Sequence, residues 1–253
     1  MTVSVLGNDA RLASCRESLL QLCPNAHFDI SLFPIPLSGN GTTVMGTDIP
    51  LDDIGAVTAP GSVAVLYDPP PASRNSLSER GVEIIDLSKC ESYLEKNAYL
   101  TAVGAVARIA SSERRAPSDL SLGIIGYGRI GRHLAKIFAF LGARVKIYTS
   151  KQEVRRDLCM LGISGIDSLS LGEGGVQNPF SGLDVLINTA PVRLLLPNCV
   201  QSLMGVRVIE LASGNNMPVG LEFERFAAVP AVMYPESAGR VMAESVFEIL
   251  GVR

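Results

Sequence analysis

Residues 120–150 read LSLGIIGYGRIGRHLAKIFAFLGARVKIYTS, and this stretch decides the fold. An apolar run at 122–125 predicts a strand. The spacing of apolar residues over 130–141 predicts an amphipathic helix, and residues 144–148 predict a second strand. Gly142 ends the helix before that strand begins. A strand, a glycine-rich turn, a helix and a second strand form a βαβ unit with the GxGxxG pattern at its first turn, which predicts a Rossmann fold.

The three glycines of this turn predict how a dinucleotide would be bound. Gly126 allows the tight turn, Gly128 lets the main chain approach a pyrophosphate, and Gly131 lets the helix pack closely on the strand. The N–H groups of the first helical turn then face the anion. The predicted cofactor contacts of the turn are Gly126, Tyr127, Gly128, Arg129, Ile130 and Gly131.

The end of the second strand carries hydroxyl groups and a cation where NAD-binding proteins usually have an acidic residue. Thr149, Ser150 and Lys151 follow the strand, and the first carboxylate is Glu153. A ribose 2′-phosphate is an anion that needs donors, so this pattern favours NADP over NAD as the cofactor. A second interpretation stays open, in which Lys151 and the arginines at 155–156 form only a solvated helix face.

Composition excludes several classes of function. Of the 253 residues, 47% are hydrophobic and 19% are charged, which is typical of a folded chain with one or two cores. The net charge of −3 argues against a nucleic-acid partner. No apolar run is long enough to span a membrane, and the start MTVSVLGND lacks the pattern of a signal peptide. The five cysteines form no CxxC pair, so we expect reduced thiols, no metal site and a cytoplasmic protein.

The chain is predicted to form two α/β domains joined by a long helix. Residues 1–115 are expected to form a parallel, flavodoxin-like substrate domain, and residues 116–253 the Rossmann domain that binds NADP. The helical pattern over 91–113 forms the bridge, and the Pro-containing stretch 114–119 marks the boundary. The first domain is predicted to contain a helix at 11–22 and strands at 2–6, 28–33, 56–58, 63–67 and 82–87.

Three more strands are predicted in the second domain, at 183–191, 206–214 and near 228–233, before a final helix at 240–250. Small and polar residues follow these strands, at the edge where a nicotinamide ring lies in a doubly wound sheet. In an alternative interpretation, Asn188 and Thr189 only cap a following helix. The residues predicted to line the nicotinamide pocket are Asn188, Thr189, Ala190, Pro191 and Ser213, with Gly214 beside them.

Short segments along nearly the whole chain resemble one enzyme family. In order they are NDAR, PIPLSGNG, NAYLTAVGA, GYGRIG, INTAP, VIELASG and PESAG. Their order is similar to that in the A subunit of dipicolinate synthase. GYGRIG and INTAP are shared with many dehydrogenases, whereas NDAR, PIPL and NAYLTAVGA are more specific. The resemblance implies a sporulation enzyme that works with a flavoprotein-like B subunit. Such an enzyme oxidises a dihydrodipicolinate-type compound to pyridine-2,6-dicarboxylate with NADP.

A small cyclic dianion needs hydrogen-bond donors and at least one cation. Arg11 follows the turn after the first strand and is the candidate to clamp a carboxylate. Asn8, Asn97 and Thr101 are the candidates for neutral donors. The alternatives are that Arg11 is an exposed charge near a helix N-terminus and that Thr101 serves helix packing.

Two positions depart from the pattern of the family. Residues 214–217 read GNNM where a Lys-Pro-Gly-Gly-like segment is usual, and Glu236 stands where a lysine is usual. Arg193 and Arg240 are the candidates to replace these cations. The departures keep open a non-catalytic NADP-binding subunit. A D-2-hydroxyacid dehydrogenase is the weaker alternative, because no histidine follows His133 to transfer a proton. Analogy with other α/β dehydrogenases suggests a homodimer.

Overall fold

Two parallel sheets organise the chain, as the sequence predicted. The structure is a computed structural model and describes residues 1–24, 27–160, 162–168 and 178–251. The chain divides into unit 1, which comprises Met1–Leu100 and Pro230–Arg253, and unit 2, which comprises Thr101–Val229. Each unit contains one sheet whose strands are all parallel. The prediction of two α/β units is confirmed.

The boundary lies inside a long helix, α3 (Glu91–Ser112), and differs from the predicted position near residue 116. The second half of α3 belongs to unit 2 because its side chains interact there. The guanidinium of Arg108 lies 4.0 Å from the centre of the Phe226 ring. Arg207 donates from Nη1 to the hydroxyl of Ser112 at 2.7 Å.

Unit 1 contains a four-stranded sheet in the order β1-β2-β3-β4. The flavodoxin order is 2-1-3-4-5, so the flavodoxin-like topology is not confirmed. Residues 56–58 form turns and not the predicted strand. The strands are β1 (Val3–Val5), β2 (Ile30–Leu32), β3 (Val63–Leu66) and β4 (Glu83–Asp86). The helices besides the first half of α3 are α1 (Arg11–Leu22), α2 (Pro71–Ser78) and α7 (Pro235–Leu250), with the short α6 (Val229–Met233) at the boundary.

Helix α7 packs on α1, which is why residues 230–253 belong to unit 1 and not to the predicted second domain. Gly239 of α7 lies so close to α1 that a Cβ there would be 2.3 Å from the Arg11 carbonyl oxygen. Ser14 also donates its hydroxyl to the carbonyl of Glu236 at 2.9 Å. Buried residues of both helices and of the sheet form one core: Val3, Leu12, Cys15, Leu19, Ile30, Leu32, Val63, Val65, Ile85, Met242, Ala243 and Val246.

Unit 2 contains a six-stranded sheet in the order β10-β9-β8-β5-β6-β7. With its strands renumbered from β5, this is the Rossmann order 3-2-1-4-5-6 read from the other edge, and it reverses direction between β5 and β8. The strands are β5 (Ser121–Ile125), β6 (Arg144–Tyr148), β7 (Ser164–Ile166), β8 (Val185–Asn188), β9 (Arg207–Glu210) and β10 (Glu224–Arg225). The helices are α4 (Arg129–Phe140) and α5 (Gln152–Met160).

The predicted βαβ unit appears as β5-α4-β6, and all five residues of β5 are buried. The predicted strand near 228–233 is wrong: the residues from Val229 to Met233 form helix α6, and β10 precedes them. Among the described residues, no helix combines the length and hydropathy needed to cross a membrane.

Candidate functional site

The GYGRIG turn lies between β5 and α4, at the point where the sheet order reverses. Gly126 adopts a φ of +92°, in the region that favours glycine, and donates its N–H to the Tyr148 carbonyl at 2.9 Å. A Cβ at this position would lie 2.9 Å from Oγ1 of Thr189. Thr189 donates that hydroxyl to the Ile125 carbonyl at 2.8 Å. The turn is therefore held from β6 on one side and from the end of β8 on the other.

Gly131 and Gly128 have opposite surroundings. A Cβ at Gly131 would lie 2.3 Å from the carbonyl oxygen of Gly126, so only glycine lets α4 start this close to the turn. A Cβ at Gly128 would meet no atom within 4 Å, and its φ of −77° is open to any residue. The backbone at Gly128 is thus accessible beside the N–H groups of the first turn of α4, which fits a bound pyrophosphate. Tyr127, Arg129 and Ile130 are half-buried in the same turn.

The donors predicted after β6 divide into a structural and an accessible group. Thr149 is buried, and its carbonyl accepts a bond from Nη1 of Arg155 at 2.7 Å. Arg155 also pairs with Asp167, with 3.1 Å between Nη2 and Oδ2. Ser150 and Lys151 are exposed. The two exposed residues are therefore the ones that can reach a ligand at this edge of the sheet.

Asn188, at the end of β8, is bonded within the protein. It is 3% exposed and lies in register with Glu210, the last residue of β9. Its amide Nδ2 donates to Oε1 and Oε2 of Glu210 at 3.1 and 3.2 Å and to the Ala190 carbonyl at 3.2 Å. Its Oδ1 accepts the Ala190 N–H at 3.1 Å. Asn188 therefore shapes the turn that follows β8.

The alternative in which Asn188 and Thr189 cap a helix is wrong, because residues 189–206, all of them described, contain no α-helix. In the predicted nicotinamide pocket, Ala190 is buried, Thr189 is half-buried, and Pro191 and Ser213 are exposed at the same edge of the sheet.

Glu210 is the residue of this edge that the sequence analysis missed. Its side chain is fully buried, and its Oε1 also accepts the Ala212 N–H at 2.8 Å. Burial raises the pKa of Glu210, although the bonds from Asn188 and Ala212 and the charge of Arg225 oppose the rise. A carboxylate directly after the apolar pair Val208 and Ile209, within the strand predicted at 206–214, was the available signal for this group.

Arg11 is buried and bonded to neighbouring groups of unit 1. Its side chain is 6% exposed, and it pairs with Asp9 through Nε–Oδ1 at 2.9 Å and Nη2–Oδ2 at 2.6 Å. Arg11 also donates to the carbonyl of Ile35. The N–H of Ile35 in turn donates to Oδ2 of Asp9 at 2.9 Å. Burial alone would raise the pKa of Asp9, but the bond and the charge of Arg11 lower it. Arg11 therefore positions the loop after β2, and the alternative of an exposed charge is wrong; its contact with a substrate stays a prediction.

The other predicted substrate residues lie at two places. Asn8 is exposed in the turn after β1 and is bonded through its N–H to the Met45 carbonyl at 2.9 Å. Asn97 is half-buried and Thr101 is buried, four residues apart on α3 and so on one face of that helix. Their contact with a substrate stays a prediction.

A cavity of about 610 Å³ opens at the other end of the unit 2 sheet, where the strands begin. Ser121, Arg144, Lys146, Ser164 and Ser181 are among its lining residues. Ligands of doubly wound sheets bind at the carboxyl ends of the strands, so we assign the candidate site to the GYGRIG turn and not to this cavity. In the described part of the chain, no group of three or more His, Cys, Asp or Glu side chains could hold a metal ion.

Comparison with known proteins agrees with this architecture. The A subunit of dipicolinate synthase from Bacillus halodurans superposes with a TM-score of 0.79 and 18% identity over 98% of this chain and 97% of that one. The corresponding protein from Bacillus subtilis gives a TM-score of 0.80 and 16% identity over 99% and 96% of the two chains. This chain therefore has the fold of the dipicolinate synthase A subunit. A transhydrogenase from Sinorhizobium meliloti follows with a TM-score of 0.71, at 17% identity, over 99% and 93%.

Sequence comparison adds no assignment. No family model matches the chain, and no curated protein matches it in sequence. At 16–18% identity, the structural likeness establishes the fold alone.

Proposed function

We propose that the protein is an NADP-dependent oxidoreductase that serves as the A subunit of a dipicolinate synthase. The observation that carries the proposal is the GYGRIG turn at the reversal point of a sheet in the Rossmann order. Gly126 and Gly131 are sterically required there, and Gly128 leaves the backbone open to a pyrophosphate. A nicotinamide dinucleotide, when bound, would accept a hydride from the substrate.

The choice of NADP rests on the end of β6. Thr149, Ser150 and Lys151 occupy the position at which an NAD site usually offers a carboxylate to the adenosine ribose. Glu153, the first carboxylate after β6, comes two residues after Lys151, and Asp167 is engaged with Arg155. Exposed Ser150 and Lys151 supply the hydroxyl and the cation that a 2′-phosphate requires.

The substrate class rests on the resemblance to dipicolinate synthase and on the matching fold. We propose a dihydrodipicolinate-type dicarboxylate, oxidised to the aromatic dipicolinate in sporulating cells together with a flavoprotein-like B subunit. Because aromatisation of the ring favours the reaction, the protein needs mainly to hold the two reactants in position. This reduces the need for a general base and suits a chain with only two histidines.

A non-catalytic NADP-binding subunit is the second candidate. One observation favours it: Arg11, the cation predicted to clamp the dianion, is buried and paired with Asp9. Glu236 in place of the usual lysine points the same way. Such a protein would bind NADPH as tightly as the enzyme but would oxidise nothing with or without a B subunit.

The experiment is calorimetric titration of the whole chain with NADPH and NADH. NADPH is expected to bind at least about tenfold more tightly than NADH, because only NADPH carries the 2′-phosphate. Gly128→Asp should abolish binding by placing a carboxylate against the pyrophosphate. Ser181→Asp, which adds the same charge at an exposed position at the opposite end of the sheet, should leave binding unchanged.

Folded wild-type protein that binds neither nucleotide would refute the cofactor and with it the enzyme. Binding followed by NADPH formation from a dihydrodipicolinate-type substrate, measured by absorbance with a B subunit, separates the enzyme from the non-catalytic candidate.

A further inference from the structure

We propose that Glu210 is a positioning residue that orients the Asn188 amide and thereby shapes the 188–191 turn for the nicotinamide half of the cofactor. The proposal rests on the proposed function, because it assigns a role within the same dinucleotide site. It concerns the nicotinamide side alone and leaves the pyrophosphate and adenosine contacts to the GYGRIG turn and the end of β6.

The contacts form a continuous chain from Glu210 to the turn. Glu210 is fully buried and accepts from Nδ2 of Asn188 with both carboxylate oxygens, at 3.1 and 3.2 Å. Asn188 then bonds both backbone groups of Ala190, at 3.1 and 3.2 Å. The next residue, Pro191, is exposed at the edge where the nicotinamide is expected.

Only an acceptor can enforce this orientation of the amide. A carboxylate offers two acceptors to Asn188, so Nδ2 must face it and Oδ1 must face the Ala190 N–H. A glutamine at 210 would place an NH₂ group about 3.2 Å from the Asn188 NH₂ group. Turning the Asn188 amide over would relieve that conflict, but it would set Nδ2 against the Ala190 N–H and Oδ1 against the Ala190 carbonyl.

Burying a carboxylate in a core costs more desolvation free energy than burying an apolar side chain. Glu210 ends a strand whose two preceding residues, Val208 and Ile209, are apolar and buried. An apolar residue would suit the packing of that strand at lower cost. The acceptor pair therefore indicates a requirement for one fixed turn geometry at this edge of the sheet.

The test compares two ligands. NADPH contains the nicotinamide, and 2′-phospho-ADP-ribose is the same molecule without it. Glu210→Gln is expected to weaken NADPH binding at least about fivefold, while 2′-phospho-ADP-ribose binds as to wild type within about twofold. Glu224→Gln is the matched control, because Glu224 lies on the neighbouring strand and is paired with Arg207 instead. It should leave both affinities unchanged.

A second variant tests whether Glu210 acts through Asn188. Asn188→Ala should produce the same selective loss of NADPH affinity. Glu210→Gln added to Asn188→Ala should then weaken NADPH binding by less than about twofold more, because its target is already absent.

Three outcomes would overturn the proposal: equal losses for both ligands in Glu210→Gln, no loss for either, or fully additive losses in the double variant. Failure of the wild-type protein to bind either ligand would instead refute the proposed function. The two failures are therefore distinguishable.

Discussion

Alanine at Gly131 should lower stability, whereas alanine at Gly128, only three residues away, should leave stability unchanged and weaken nucleotide binding. A Cβ at Gly131 would lie 2.3 Å from the Gly126 carbonyl oxygen, whereas ordinary contact begins at 3.4 Å. The turn or the helix must therefore move by about 1 Å. The clash cannot be relieved by a side-chain rotation, because the Gly126 oxygen belongs to the backbone and the Cβ of residue 131 is fixed to the helix.

The magnitudes follow from this geometry. Overpacking at Gly131 destabilises the fold by about 1–3 kcal/mol, and the higher helix propensity of alanine offsets up to about 1 kcal/mol of this loss. We expect Gly131→Ala to lower the free energy of unfolding by about 1–2 kcal/mol. At Gly128 a Cβ meets nothing within 4 Å, so Gly128→Ala should change the free energy of unfolding by less than about 0.5 kcal/mol. The same methyl group would, however, stand where the pyrophosphate approaches.

Urea unfolding and NADPH titration of both variants provide the assay. Gly128→Ala should unfold like the wild type but bind NADPH at least about tenfold more weakly, a loss of about 1.4 kcal/mol. Gly131→Ala should lose stability, and its binding should fall because the turn is displaced. A Gly131→Ala variant of unchanged stability would refute the packing argument. A Gly128→Ala variant with wild-type affinity would refute the pyrophosphate site.

Three further changes test other parts of the molecule. Asp9→Asn leaves the buried Arg11 guanidinium without its counter-charge and should cost about 3 kcal/mol in urea unfolding; a cost below about 0.5 kcal/mol, on the order of a surface pair, would contradict the burial. Burial alone would raise the pKa of Asp86, but hydrogen bonds from Ser88 and Arg74 lower it from 3.8 to about 2. The ionised Asp86 therefore stabilises the fold above about pH 4, and this stabilisation is lost as the pH falls toward 2. Asp86→Asn should therefore flatten the acid limb of a stability–pH curve by up to about 2 kcal/mol, and an unchanged limb would exclude Asp86 as its source. Lys151→Ala should weaken NADPH binding about fivefold or more and leave NADH binding unchanged; equal losses would mean that Lys151 does not contact the 2′-phosphate.

Local patterns were sufficient to predict the centre of the fold. The β5-α4-β6 unit was predicted to within one or two residues, because apolar periodicity and glycine positions act within about thirty neighbouring residues. The elements that follow the last strands of the unit 2 sheet were harder to predict. The strand predicted near 228–233 is a helix, since the short apolar run VPAVM fits either structure and the surrounding fold decides between them.

The candidate site was predictable where one segment supplies it and not where distant segments pair. The glycine spacing of the GYGRIG segment was sufficient to predict the turn between β5 and α4. Arg11, in contrast, was predicted to meet a ligand, and its surroundings depend on the Ile35 carbonyl, 24 residues away. Glu210 was missed because its role depends on a strand neighbour 22 residues earlier, which becomes visible only once β8 and β9 are in register.

The return of α7 to unit 1 has a consequence for how the protein is made. Residues 101–229 leave the ribosome as an uninterrupted unit, whereas residues 1–100 emerge first but lack the helix that covers α1. The core of unit 1 therefore lacks Met242, Ala243 and Val246 until α7 has been synthesised. Unit 2 can therefore be complete while unit 1 is still unfinished, although residues 1–100 precede it in the chain.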